Sequence, residues 1–396
     1  MDLPVKQLTV FSICARNFTA YAKTLFDSVR RHHPSADMFL FLCDAVDDEY
    51  ARETFPFTIV PLEDLAIPNV EEMSQRYNIT EFNTAIKPYA FSYLFNRLRK
   101  DTVVYLDPDI LLLGPLDDVL DGFARGYDCL LTPHILEPAE DGEVRDIWFL
   151  QYGIYNLGFL GLRNSPEVIR AVDWWSRRLV HDCVIDLPRG VFVDQKWADL
   201  FPAFITHVMV IHDPGYNVAY WNIAQRRIEM IDGEWYVNRR RLRFAHFSGN
   251  SLADPEILSR HAKSLDRNTI GEMKTLLDFY RDRIYANGHA AYSLIPYSFS
   301  WNGKKGVNLH TPKPAEPTDA PAAAESDEPG LLARIRFYWA LTASASRMAG
   351  GWSRLLLKTA RAFIQGGVGA IRHDAQTVAA RAKAAPAGGS DSAKRI

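Results

Sequence analysis

Cysteine is scarce in this chain of 396 residues: Cys14, Cys43, Cys129 and Cys183 are the only four, far apart and without CxxC spacing. Each lies in an apolar stretch, where a small buried thiol is the expected role, and a reducing cytoplasm is the expected compartment. No run of eighteen apolar residues occurs, and Met1-Asp2-Leu3-Pro4 does not begin a basic segment followed by an apolar one. Neither a bilayer-spanning helix nor a secretory leader is therefore expected. A large net charge is missing too, at −3 overall, but the charge is unevenly spread. Residues 331–396 hold eleven Lys or Arg against two Asp, which leaves the rest of the chain acidic. An acidic body argues against nucleic acid as its partner, and the basic end points to an anionic surface. Internal repeats are absent.

What the chain has is apolar mass. Hydrophobic residues make up 47% and aromatics 12%, enough for a large core in one big α/β domain or two ordinary ones. Leu8 to Cys14 is an apolar, β-prone run, followed by Thr19 as a helix N-cap and by Tyr21, Leu25, Phe26 and Val29 on one helical face. Further strands are expected at Met38–Cys43, at Phe57–Val60 on an edge, and at Thr102–Leu106, which stops at Asp107. Ile86, Tyr89, Ala90, Tyr93, Leu94 and Leu98 recur at helical spacing between the last two. Later come a strand at Tyr155–Leu162, a Trp-rich helix around Asp173–Val180, an apolar stretch near Phe204–Ile211, and strands around an Asp232-Gly233 turn. Alternating strands and helices predict an α/β fold with a mainly parallel, Rossmann-like sheet covered by helices on both faces.

Domain boundaries follow from composition. Residues 1–305 read as the folded domain, 306–330 as a disordered Pro/Ala/acidic linker, and 331–396 as a basic amphipathic helical tail broken by glycines at 350–351 and 366–367. The tail has three readings: an amphipathic segment on an anionic membrane through residues 331–372, a docking helix for a partner, or an extension without a role. The first would place a cytoplasmic protein on the inner face of the cell membrane.

Ligands of open α/β sheets settle beyond the carboxyl ends of the strands, so the residues after Leu106 and after Cys14 are where chemistry is expected. Asp107-Pro108-Asp109 puts two carboxylates in one loop, whose repulsion a divalent cation would relieve. By itself the tripeptide also fits a turn in which one aspartate caps the next segment and the other is solvated. His246 stands at the exit of another strand; alone it is more often a satisfied core residue. Together the three make an oxygen, oxygen, nitrogen set suited to Mn²⁺ or Mg²⁺. Asn217 and Asn222 lie in an aromatic segment that fits either sugar stacking or a packed corner of the core.

These motifs, in order, resemble the retaining family 8 glycosyltransferases, the glycogenin and lipopolysaccharide-galactosyltransferase group, and especially bacterial relatives that make surface polysaccharides. The likeness covers about residues 8–300. Cys14-Ala15-Arg16-Asn17 and Ala20-Tyr21-Ala22-Lys23 look like the family's nucleotide-recognition start, with the tyrosine on the uracil ring. Lys87 in Thr84-Ala85-Ile86-Lys87-Pro88 matches the donor-contacting lysine, and Asp107 and Asp109 the metal-binding pair. Tyr155-Asn156-Leu157-Gly158 resembles the Phe/Tyr-Asn-x-Gly strand, Asp194-Gln195 the sugar-contacting pair, and Tyr216-Asn217 the Tyr-Asn loop. His246-Phe247-Ser248-Gly249 matches the closing His-x-x-Gly, whose histidine is the third metal ligand.

The resemblance implies a GT-A fold and metal-dependent transfer of a hexose from a UDP-sugar to a glycan or lipid-linked saccharide. Lys87, Asp194 and Gln195 are implied as catalytic residues, and Ala15, Arg16, Asn17, Tyr21, Asn156, Tyr216, Asn217 and Gly249 as substrate contacts. Retention without a second carboxylate pair implies same-face attack, with the leaving phosphate as base. The residues alone leave plainer roles open: a surface helix lysine for Lys87 and an N-cap for Asp194. The sequence also departs from the family. Asn250-Ser251-Leu252-Ala253 replaces the Lys-Pro-Trp run after the last glycine, so another base has to take that lysine's part. Two other activities are weighed against transfer: a non-catalytic glycan-binding or membrane-recruited scaffold, and a nucleotidyltransferase, which the missing phosphate loop after the first strand disfavours.

Overall fold

The computed structural model describes residues 7–46, 50, 53–139, 146–301 and 304–305. The linker and tail calls on residues 306–396 lie outside the described residues. Nine strands position the site: β1 (Thr9–Cys14), β2 (Asp37–Leu42), β3 (Thr58–Val60), β4 (Thr102–Leu106), β5 (Ile110–Leu112), β6 (Cys129–Pro133), β7 (Tyr155–Arg163), β8 (Val208–Val210) and β9 (Phe244–His246). Seven of them form one sheet in the order β8-β6-β7-β4-β1-β2-β3. β1 runs parallel to β2 and β4, β2 to β3, and β6 to β8, whereas β7 is antiparallel to both its neighbours. The expected α/β class with a mainly parallel sheet is what the chain forms.

Alternation along the strands divides the core. Val10, Leu40, Leu42, Val104 and Leu106 point to one face, covered by α1 (Thr19–His32) and by the helix Met273–Ala286. Phe11, Ile13, Phe39, Phe41, Val103 and Tyr105 point to the other, covered by α2 (Ile79–Ala85), α3 (Lys87–Ser92) and α4 (Pro166–Leu179). Both faces are therefore dry, which explains why the central strands read as continuous apolar runs. All four cysteines are buried and free. The expected hairpin is present, with Ile228–Ile231 paired to Glu234–Val237 across Asp232 and Gly233, both at positive φ.

One local expectation needs correction, and another gains detail. Thr19 is not an N-cap: the short 3-10 turn Arg16–Phe18 runs straight into α1, so the Thr19 hydroxyl donates back to the Arg16 carbonyl at 2.7 Å instead of accepting from an N–H ahead. The apolar pattern 86–98 is helical as expected, without a break from Lys87 through Arg97, but it is a helix separate from the one before it and its last turn is wider. Pro88 has no N–H to offer, so α2 ends at Ala85, α3 starts afresh at Lys87, and a wider π turn, Tyr93–Arg97, follows.

Candidate metal and sugar-donor site

β4 ends at Asp107, whose N–H donates to Gly158 O at 2.8 Å; a turn closed by Ile110 N–H to Asp107 O, 3.1 Å, swings the chain into β5. β5 pairs antiparallel with β9, Ile110 opposite His246, and Phe247 N–H donates to Asp109 O at 2.9 Å. That register carries His246 to the two aspartates from far along the chain. Its Nε2 lies 3.1 Å from Asp109 Oδ1 and 3.6 Å from Asp107 Oδ2. One donor atom from each of the three side chains lies within 4.8 Å of the others.

The far side of the imidazole fixes its tautomer. His246 Nδ1 is 3.1 Å from Asn156 Oδ1 and 3.3 Å from Asn217 Oδ1. Asn156 Oδ1 also receives the Gly158 N–H at 3.1 Å and an Asn217 amide hydrogen at 3.1 Å, so it is an acceptor, and Nδ1 carries the proton. With Nδ1 protonated, the Nε2 facing the carboxylates is the atom whose lone pair a cation between them would take, as a ligating histidine requires. Gly158 is what lets the ring in: a Cβ there would meet His246 Cε1 at 2.3 Å. Trp221 closes the pocket edge-on at 5.2 Å.

Charge in this pocket is poised for a cation. Burial pulls the His246 pKa down, but Asp109 and Asp107 outweigh it and hold the group above the usual histidine value. Burial raises the Asp107 carboxyl, and Asp109 adds to this against Lys87 and His246. Two hard oxygens and one imidazole nitrogen fit Mn²⁺ or Mg²⁺, whose charge would relieve that repulsion.

Beneath the cluster lies an ion pair. Lys87 and Asp194 are each 1% exposed, with Nζ 2.5 Å from Oδ2. Lys87 also donates to Leu157 O at 2.9 Å and stands 4.1 Å over the Tyr105 ring, whose hydroxyl donates to Asp107. Gln195 Oε1 accepts from Leu157 N–H at 3.0 Å while its Nε2 donates to Tyr152 O at 3.0 Å. Lys87 and Gln195 thus grip both backbone groups of Leu157, the residue between Asn156 and Gly158. Neither plainer alternative holds: Lys87 is buried, and the Asp194 side chain caps no helix.

The remaining residues named from sequence are spread out. Arg16 pairs with Asp44, Nε to Oδ2 3.4 Å, and reaches Ser298 Oγ at 3.0 Å, tying together the chain beyond β1 and β2. Ala15 and Asn17 flank it, both buried. Tyr21 is buried, stacked on Phe18 at 4.5 Å and edge-on to Tyr280 and His289. Tyr216 turns from the site into the core, its hydroxyl on Asp118 at 3.0 Å. Asn217 and Asn222 belong to a packed corner, Asn222 donating to His134 O and Asn217 O, both at 2.9 Å. Gly249, with φ 71°, packs under His261 and Ser259. Sequence reading passed over Tyr105 and His134, and it named Gly158 only as part of the Tyr-Asn-Leu-Gly motif, without the close approach of His246 that requires it.

No family model matches the chain. Curated relatives include two uncharacterized proteins of Bacillus subtilis (strain 168). YfnD is 27% identical over 207 residues, covering 49% of this chain and 62% of that protein. YfnF is 24% identical over 271 residues, covering 66% and 87%. The chain thus matches less than two thirds of YfnD's length. Among solved structures, it is similar to the galactosyltransferase LgtC in complex with donor and acceptor sugar analogs, with a TM-score of 0.41 and 16% identity over 69% of this chain and 95% of that one.

Proposed function

We propose that the chain is a metal-dependent glycosyltransferase that moves a hexose from a nucleotide sugar, UDP-linked, to a saccharide or lipid-linked acceptor in surface polysaccharide synthesis, with retention. The observation that carries this is the convergence of Asp107, Asp109 and the Nε2 of His246 where β4 leaves the sheet, with the opposite ring nitrogen held by two asparagines. Motif order supplies the reaction class, since the same residues stand in the positions of the family 8 elements.

Asp107 and Asp109 would hold the cation through oxygen and His246 through Nε2. A bound Mn²⁺ or Mg²⁺ supplies the charge that neutralises the departing diphosphate as the anomeric carbon becomes cationic. Asn156 and Asn217 keep the proton of His246 on Nδ1. The buried Lys87, Asp194 and Gln195 act as positioning groups: they hold Leu157 and Tyr105, and through them Asn156, Gly158 and Asp107. Among the described residues no helix is long and apolar enough to cross a membrane. Contact with an anionic membrane through residues 331–372 belongs to the same proposal, as it would bring the site to lipid-linked acceptors.

UDP release from a panel of UDP-sugars with Mn²⁺ tests the reading. The expected result is turnover of one donor that falls to background in Asp109→Ala and on chelation. Absence of turnover together with absence of Mn²⁺-dependent UDP binding overturns it.

A further inference from the structure

After Gly249 the chain carries no basic residue in Asn250-Ser251-Leu252-Ala253, and this stretch is spent on structure. Asn250 Nδ2 donates to Leu258 O at 3.0 Å, and Arg281, itself buried, gives its guanidinium to the carbonyls of Pro255, Asp254 and Ser251 at 2.6, 2.8 and 3.1 Å. Those bonds brace the hairpin formed by Ile257–Ser259 and Ala262–Asp266, whose tip is Arg260-His261.

The tip is docked on Gly249, three residues along the chain from His246. Arg260 N–H donates to Gly249 O at 2.9 Å, and the His261 N–H is held by Ser259 Oγ at 3.2 Å. Gly249 has no Cβ because one would meet the His261 ring at 2.4 Å. Tyr220 lies 5.8 Å from that ring, Trp221 5.1 Å from Tyr220, and His246 5.2 Å from Trp221, an aromatic run from the tip to the cluster. The Asp109 charge reaches the His261 ring, and Arg260 and Asp109 act with opposite sign on the Tyr21 hydroxyl. Arg260 and His261 are exposed, and among the described residues the Arg260 guanidinium has no ion pair and no hydrogen-bond partner. A cation without an ion pair or hydrogen bond, on a backbone fixed from two sides and tied through Gly249 to the strand end that carries His246, is open to an anionic ligand.

We propose that Arg260, with His261 beside it, binds the diphosphate of the donor on the side opposite Asp107 and Asp109; this rests on the glycosyltransferase reading above. The guanidinium would donate to phosphate oxygens and His261 would add one ring N–H. The tip thereby takes the part that the stretch after Gly249 cannot.

Binding of pyrophosphate and of UDP to the full chain saturated with Mn²⁺, measured by calorimetry, tests this. Arg260→Gln is expected to weaken both ligands by at least about tenfold, Arg260→Lys to restore part of the loss, and His261→Ala to give a smaller loss. Mn²⁺ affinity, read by electron paramagnetic resonance without phosphate, is expected to stay unchanged in all three. Natural-level pyrophosphate binding in Arg260→Gln overturns the inference and leaves the glycosyltransferase reading standing. Loss of Mn²⁺ affinity in Arg260→Gln also overturns it, since the residue would then act through the metal ligands. If the natural chain itself binds neither ligand with Mn²⁺, both readings fall.

Discussion

At the scale of single residues, the site turns on a hydrogen atom at position 158. The Gly158 α-carbon lies where any side chain would strike the His246 ring, with the Cβ contact at 2.3 Å on Cε1 and 2.7 Å on Nδ1, and both atoms belong to a ring pinned by neighbours. Gly158→Ala therefore has to push the imidazole off Asn156 and Asn217 or shift β7. Gly158 is in a central strand whose backbone bonds to β4 survive the change, so the expected outcome is a folded protein with Mn²⁺ affinity reduced about 10- to 100-fold, the range for disturbed support of a ligating histidine. Unchanged affinity by paramagnetic resonance would mean that His246 is not a ligand.

Elements deliver these residues, and here the limits of sequence show. The exit of β4 at Asp107 was legible because a strand buried on both faces reads as an unbroken apolar run that stops where charge begins. The β5 and β9 pairing was not, since two three-residue strands carry no periodicity and only their register puts His246 opposite Ile110. Lys87 was legible as a motif but not as a buried cation, because helical spacing says which residues share a face and nothing of what that face meets. α3 lays Lys87 against β7 and Asp194, and in so dry a place the pair is costly to break. Lys87→Met leaves the Asp194 carboxylate without its partner and is expected to cost about 3–5 kcal/mol in chemical denaturation, whereas Lys87→Met with Asp194→Leu recovers most of that loss. Equal stability for the single and double variants would show that the pair is not what holds α3 to Leu157.

For the molecule as a whole, the two histidines buried among the described residues, His134 and His246, pull stability in opposite directions with pH. His246 has its pKa raised by Asp109 and Asp107, so its contribution is present in acid and is lost as pH rises through the folded value. His134 is the reverse. It sits 6% exposed between Phe149 and Trp221, with Nδ1 3.2 Å from Ile154 O and Nε2 3.3 Å from Asn156 Nδ2, and burial pushes its pKa down to about 4. The unfolded chain takes up this proton near pH 6.5 and the folded one only near 4, so folding loses stability as pH falls through that window. A shift of that size corresponds to roughly 3 kcal/mol at its lower end, from about 1.4 kcal/mol per pH unit. His134→Gln keeps a donor and an acceptor but does not titrate. The difference in unfolding free energy between the natural chain and this variant should therefore move by roughly 3 kcal/mol between about pH 7 and pH 4, the natural chain losing more. His246 is present in both proteins, and its charge adds to burial in holding His134 down, so a difference that stays flat with pH would show that His134 is not held neutral by the corner formed by Asn156, Phe149 and Trp221.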